Sequence, residues 1–206
     1  MIQGVIAGGY DALYKATESS EDDKAAGAED LKKRSVTEKD AVVGIAASGR
    51  TPYTIGAVEY ARSSGCFTAC IACVPDSAIT KAAEISIVPI VGAEVIAGSS
   101  RMKAGTAQKL ILNMISTAAM IRLGYVKGNR MTNVKSSNAK LKERSLRILM
   151  AETNLDEVMA RNLMSAAGED LRVAIVMHKS NASREIAERE LVENNFVIEK
   201  AVRLIE

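Results

Sequence analysis

Three short, continuously apolar runs constrain this chain more than any other feature: AVVGIAA (41–47), FTACIACV (67–74) and ISIVPIV (85–91). Each is rich in β-branched or small apolar residues, is bounded by turn-forming residues, and is too short for an ordinary helix. The segments between them have helical character. TIGAVEYARSSG is a helix closed by Gly65, and SAITKAAE is a short helical turn. An earlier run, IQGVIAG, reads as another strand, and GYDALYKATES after it has helical spacing. In ESSEDDKAAGAEDLKKR the acids come first and the cations last, the order that a helix macrodipole favours. Apolar strands alternating with helices specify a parallel sheet covered on both faces. Ligands in such sheets bind beyond the carboxyl ends of the strands. The polar loops after AVVGIAA and ISIVPIV are therefore the places to look for a site.

From about Lys103 onward the pattern is helical. One long helix is expected over Ala104–Leu123 and another over Asn133–Glu152. The tail contains LDEVMARNLMSAAG, a central AIVMHK region and SREIAERELVENN. Its apolar run DLRVAIVMH is ambiguous by periodicity and is read as helix. The expected organisation is a sheet domain over 1–150 and a small three-helix domain over 151–206.

The 206 residues suit one domain with a small appendage. Aromatics are 3% of the chain and Trp is absent, so Ile, Val, Leu, Ala and Met must fill the core. A net charge of +2 is too balanced to argue for nucleic acid. No apolar run reaches membrane-spanning length and no signal-peptide pattern is present, which points to the cytoplasm and to no membrane partner. Cys66, Cys70 and Cys73 lie close together, but FTACIACV reads as a buried strand in which Cys serves as a small hydrophobe. His178 reads as a helix residue, the Met102/Met114/Met120 series as core packing, and no metal-ligand spacing stands out.

Two loops carry candidate binding groups. Ser48, Gly49, Arg50 and Thr51 follow a strand and open a helix, with Pro52 suited to its first turn. Free N–H groups at that helix start, with two hydroxyls, can bind an anion; ordinary Ser/Thr capping explains them equally well. In GSSRMKAGTAQK, Arg101 and Lys103 could meet a phosphate or carboxylate, and Ser99 and Ser100 could meet sugar hydroxyls; a solvated basic turn is the plainer alternative. Neither segment is a P-loop, and no GxGxxG fingerprint is present. Glu18, Glu21, Asp22 and Asp23 form an acidic cluster, ordinarily a solvated helix start, from which a general base could come.

The segments IAGGYDALYKATESSEDD, VVGIAASGRTPY, IVGAEVIAGSSRMKAGTAQKLILNMIST and GNRMTNV together resemble the N-acetylmuramic acid 6-phosphate etherases over essentially the whole chain. The resemblance implies a sugar isomerase (SIS) domain, an α/β fold that binds phosphosugars, with a small helical C-terminal domain. It implies cleavage of the D-lactyl ether of a phosphorylated amino sugar during cell-wall recycling, giving N-acetylglucosamine 6-phosphate and D-lactate, with no metal or redox cofactor and a homodimeric assembly. Glu21 matches the base that removes the C2 proton. Ser48, Gly49, Arg50 and Thr51, then Ser99, Ser100 and Arg101, match the sugar-phosphate contacts. The family pattern also includes an upstream first strand with a GTSGR phosphate loop and an acid glutamate, which these residues do not contain. That strand lies between those matching Ile2–Ala7 and Ala41–Ala47. A truncated SIS sheet with an exposed strand edge is therefore expected, and turnover is expected to depend on the absent acid. A non-catalytic phosphosugar-binding regulator is the alternative. A DNA-binding SIS regulator fits less well, because no concentrated basic helix is present.

Overall fold

A computed structural model describes residues 2–15, 17–134 and 138–205. It divides into two compact units, 1–112 and 113–206.

The first unit is built on a three-stranded parallel sheet in the order β1 (Ala41–Ile45), β2 (Phe67–Ile71), β3 (Ile85–Ile87). Val43 pairs with Ala69, and Ala69 in turn with Ile85. β2 is central, and its last four residues are all buried, as its unbroken apolar run requires. β3 is shorter than the ISIVPIV run because Pro89 offers no N–H to a ladder. The helices are α1 (Lys24–Lys32), α2 (Pro52–Ser63) and the short α3 (Ala78–Ala82). α1 and α2 approach closely at two glycines. A Cβ on Gly27 would collide with the Tyr53 carbonyl oxygen, and one on Gly56 with the Lys24 carbonyl oxygen. Val58, Cys70, Ala72 and Ile79 form one small core, and Leu31, Ala57, Ala61 and Cys66 another. All three cysteines are free, and Cys66 and Cys70 are buried as packing residues.

The run at residues 2–7 corrects one expectation: it forms no strand, and Ile2 and Ile6 are exposed. The reason is the lack of a neighbour to pair with. β1 is an edge strand among the described residues. The Phe67 N–H donates to the Asp40 carbonyl and the Ala46 N–H to the Ile71 carbonyl. Even-numbered residues of β1 therefore face β2, and Ala41, Val43 and Ile45 turn their N–H and C=O groups outward. A groove of about 350 Å³ runs along this edge, with Gln3, Gly4 and Val5 among its lining residues.

α4 (Lys103–Arg122) follows β3, as expected, but buries only Ala104 and Ile111. Met102 and Met114 are exposed rather than packed in a core. A two-residue hairpin, β4 (Val126–Lys127) with β5 (Arg130–Met131), comes next. Gly128, at φ 58, takes its first turn position, as two-residue loops that begin with Gly require. The helix expected over Asn133–Glu152 is α5 (Ala139–Thr153); residues 135–137 of that span lie outside the described residues.

The second unit is then helical: α6 (Glu157–Ala166), α7 (Leu171–Ser180), α8 (Arg184–Glu193) and α9 (Ile198–Ile205). α9 adds a fourth helix to the three read in the tail. Polar residues define the starts of α5, α6, α7 and α8. The Asn138, Asp156 and Ser183 side chains accept N–H bonds from Leu141, Met159 and Ile186, and Asp170 accepts from Arg172 and Val173. α7 packs against α5, α6, α8 and α9. That placement explains its ambiguous apolar run, with Leu171, Val173, Ala174, Ile175 and Val176 all buried. One contiguous core results, and it includes Leu146, Ile148 and Leu149 of α5, upstream of residue 151.

Candidate functional site

The turn after β1 is shaped by Gly49, at φ 67, whose N–H donates to the Ala46 carbonyl at 2.8 Å. The Ser48 Oγ accepts the Arg50 N–H at 3.3 Å. The loop after β2 and the start of α3 secure this turn: the Cys73 N–H donates to the Ala47 carbonyl at 2.9 Å and the Ile79 N–H to the Gly49 carbonyl at 3.0 Å. Gly49 is buried against Ser77, and any Cβ there would meet the Ser77 Oγ. The close fit gives a physical reason for glycine beyond its φ.

Pro52 then starts α2, with Thr51 as its N-cap. The Thr51 hydroxyl makes no capping bond, and the Tyr53 and Thr54 N–H groups have no hydrogen-bond partner among the described residues. Ser48 and Arg50 are exposed at the same turn. The first-turn amides, a free cap hydroxyl, a serine and a guanidinium thus lie together at the carboxyl end of β1. That is an arrangement able to bind an anion.

The second loop lies ahead of α4. Ser100, Arg101 and Lys103 are exposed and Ser99 is half-buried. Its ammonium contact distinguishes Lys103: Nζ donates to the Ala93 carbonyl at 2.6 Å. The loop also has a residue that the sequence reading missed. The Glu94 carboxylate accepts the Lys103 and Ala104 N–H groups, each at 3.0 Å. These two bonds, from Ala104 first, hold its carboxyl below the usual range. A carboxylate nine residues ahead of the helix matches no local capping pattern, so only the fold reveals it.

Glu21 is exposed in a 3-10 turn, Glu18–Asp22, directly ahead of α1; Asp23 caps that helix by accepting the Ala26 N–H at 2.9 Å. Tyr53 ties α1 to α2 by donating to Asp30 Oδ2 at 2.7 Å. This bond is the main cause of a lowered Asp30 pKa, while burial, then Asp30, push the Tyr53 phenol up. No hydrogen bond or ion pair among the described residues joins Glu21, the Ser48–Thr51 loop and the Ser99–Lys103 segment to one another. Among those residues no group of three His, Cys, Asp or Glu could hold a metal ion and no helix is long and apolar enough to cross a membrane.

Comparison with known proteins connects these elements. A family described as the glucokinase regulatory protein N-terminal SIS domain matches residues 1–62. The N-acetylmuramic acid 6-phosphate etherase of Pasteurella multocida (strain Pm70) is 51% identical over 204 residues, which is 99% of this chain and 68% of that protein. N-acetylmuramic acid 6-phosphate etherase 2 of Vibrio parahaemolyticus serotype O3:K6 (strain RIMD 2210633) is 50% identical, over 98% of this chain and 67% of its own. The etherase of Clostridioides difficile (strain 630) is 47% identical over all 206 residues, 68% of its length. With sheet, loops and helical tail all inside the matched span, the chain belongs to the N-acetylmuramic acid 6-phosphate etherase family.

Proposed function

We propose that this chain carries the phosphosugar-binding and base-bearing part of a lyase that cleaves the D-lactyl ether of N-acetylmuramic acid 6-phosphate. The products are N-acetylglucosamine 6-phosphate and D-lactate. The observation that carries the reading is 51% identity to an etherase across 99% of the chain. Ser48, Gly49, Arg50 and Thr51 at the open start of α2 bind the anionic end of the ligand, and Ser99, Ser100 and Arg101 contact the sugar, with Lys103 bracing their loop. Glu21 removes the C2 proton, made acidic by the open-chain aldehyde at C1. The C3–oxygen bond to lactate breaks as the C2–C3 double bond forms, the departing oxygen takes a proton, and water then adds across the double bond. None of these steps calls on a metal or redox cofactor. The setting is cytoplasmic and the assembly a homodimer, with neither nucleic acid nor membrane as partner.

The match of residues 1–62 to a regulatory protein's SIS domain supports a second reading, a phosphosugar-binding regulator without turnover. D-lactate release and calorimetric binding on the same preparation separate the two. Lactate release that Glu21→Gln abolishes while binding persists supports the etherase. Saturable binding of N-acetylglucosamine 6-phosphate with no lactate release supports the regulator. Absence of both overturns the site as drawn.

A further inference from the structure

The starts of α2 and α4 face the same problem, four N–H groups without partners inside the helix, and resolve it differently. At α2 the Tyr53 and Thr54 N–H groups stay open. At α4 the N–H groups of the first three helical residues are all used: Glu94 takes Lys103 and Ala104, and the Ser100 carbonyl takes Gly105 at 3.2 Å, before the regular helical bonds begin with Thr106 to the Met102 carbonyl at 3.0 Å. Lys103, the nearest cation, is turned back onto the Ala93 carbonyl. Ala93 and Glu94 therefore fasten to the first residues of α4, and the segment 95–102 becomes a closed loop with Ser99, Ser100 and Arg101 in it. The Ser99 N–H donates to the Ile96 carbonyl at 3.2 Å inside that loop. Glu94 also lies near the other binding turn. It is the charge, after burial, that pushes the Cys73 thiol up, and Cys73 is bonded to Ala47 at the end of β1.

We propose that Glu94 is a positioning residue that acts as an internal anion. It occupies the start of α4, keeps a ligand phosphate off that helix, and holds Ser99, Ser100 and Arg101 for the hydroxyl-bearing part of the sugar. The phosphate is left to the open start of α2. The assignment of sugar and phosphate rests on the phosphosugar reading above; the occupation of α4 by Glu94 does not. Ordering a loop before binding saves the ligand that cost.

Amide NMR on the full chain tests the two parts separately. In the wild type, inorganic phosphate should leave the Lys103 and Ala104 amide signals unmoved. In Glu94→Ala those signals should shift on phosphate addition, and the two amides should exchange at least tenfold faster in its absence. Faster exchange should extend to Ser99. Affinity for N-acetylglucosamine 6-phosphate should fall at least tenfold in the same variant. A merely structural cap would not create the new phosphate response. Glu94→Gln, which retains one acceptor oxygen and loses the charge, should give an intermediate result and serves if Glu94→Ala does not fold. A phosphate response at Lys103 and Ala104 in the wild type overturns the proposal, as does unchanged exchange in the variant. Wild-type protein that binds no phosphosugar overturns the functional reading instead, and the phosphate response then decides the role of Glu94 alone.

Discussion

The two compact units solve the burial problem unequally. The helical unit folds its apolar residues into one continuous core around α7, touched from four helices. The sheet unit divides its apolar residues between two small clusters and, among the described residues, leaves one side of β1 without a strand. Close backbone contacts at Gly27 and Gly56, and the packing of Ser77 onto Gly49, hold it together where bulky side chains do not. The lesson is that a binding scaffold and a stable core need not coincide. The unit that presents both candidate loops is the one with less buried apolar material.

Matched truncations offer the hardest test of that contrast. Leu149→Ala, at a fully buried position in the helical core, should cost about 3–5 kcal/mol in denaturant melts, and Ile79→Ala in the smaller sheet cluster about 2–3 kcal/mol. Equal losses would break the contrast. A second test concerns charge in the helical unit. The Glu152 side chain is only 7% exposed and receives Lys127 together with Arg130 Nη1 at 2.5 Å, with the Lys179 ammonium 3.8 Å away. Burial raises its pKa, but the bonds from Lys127 and Arg130 outweigh this and hold it below the ordinary 4.5. Its contribution is therefore complete above that value and is lost as pH falls through the lower folded-state pKa. Glu152→Gln should cost about 1.5–3 kcal/mol at neutral pH and flatten the acid limb of the stability profile. An unchanged profile would remove the charge cluster from the account.

Gly27→Ala should cost about 1–3 kcal/mol by forcing α1 away from α2, despite the better helix propensity of alanine. A stabilised variant would mean that the close approach is not needed. The smallest effect is expected at Ser183, whose side chain caps α8 from an exposed position: Ser183→Ala should cost about 1 kcal/mol in thermal melts and leave phosphosugar binding unchanged.

How far the sequence foretold this depends on the range of the forces involved. β1 and β2 were legible because their apolar runs are continuous, and the Ser48–Thr51 turn because its residues announce a strand end and a helix start. The Ile2–Ala7 run misled, since apolar composition expresses a strand only where a partner exists. The hairpin at Gly128 was missed because two residues on each side leave no periodicity to detect. α9 escaped notice for a similar reason, being two turns at the chain's end. Glu94 and the Tyr53–Asp30 bond depend on contacts 9 to 23 residues apart, which no local pattern encodes.

The central position of α7 has a kinetic consequence. Its apolar surface is satisfied only when helices on both sides of it in sequence have formed, yet each of those helices is a near neighbour along the chain. The nucleus of this unit should therefore be helical, local and quick to assemble. During synthesis it must wait for α9: until Ile198 and Ala201 have emerged, one side of the bundle stays open to solvent.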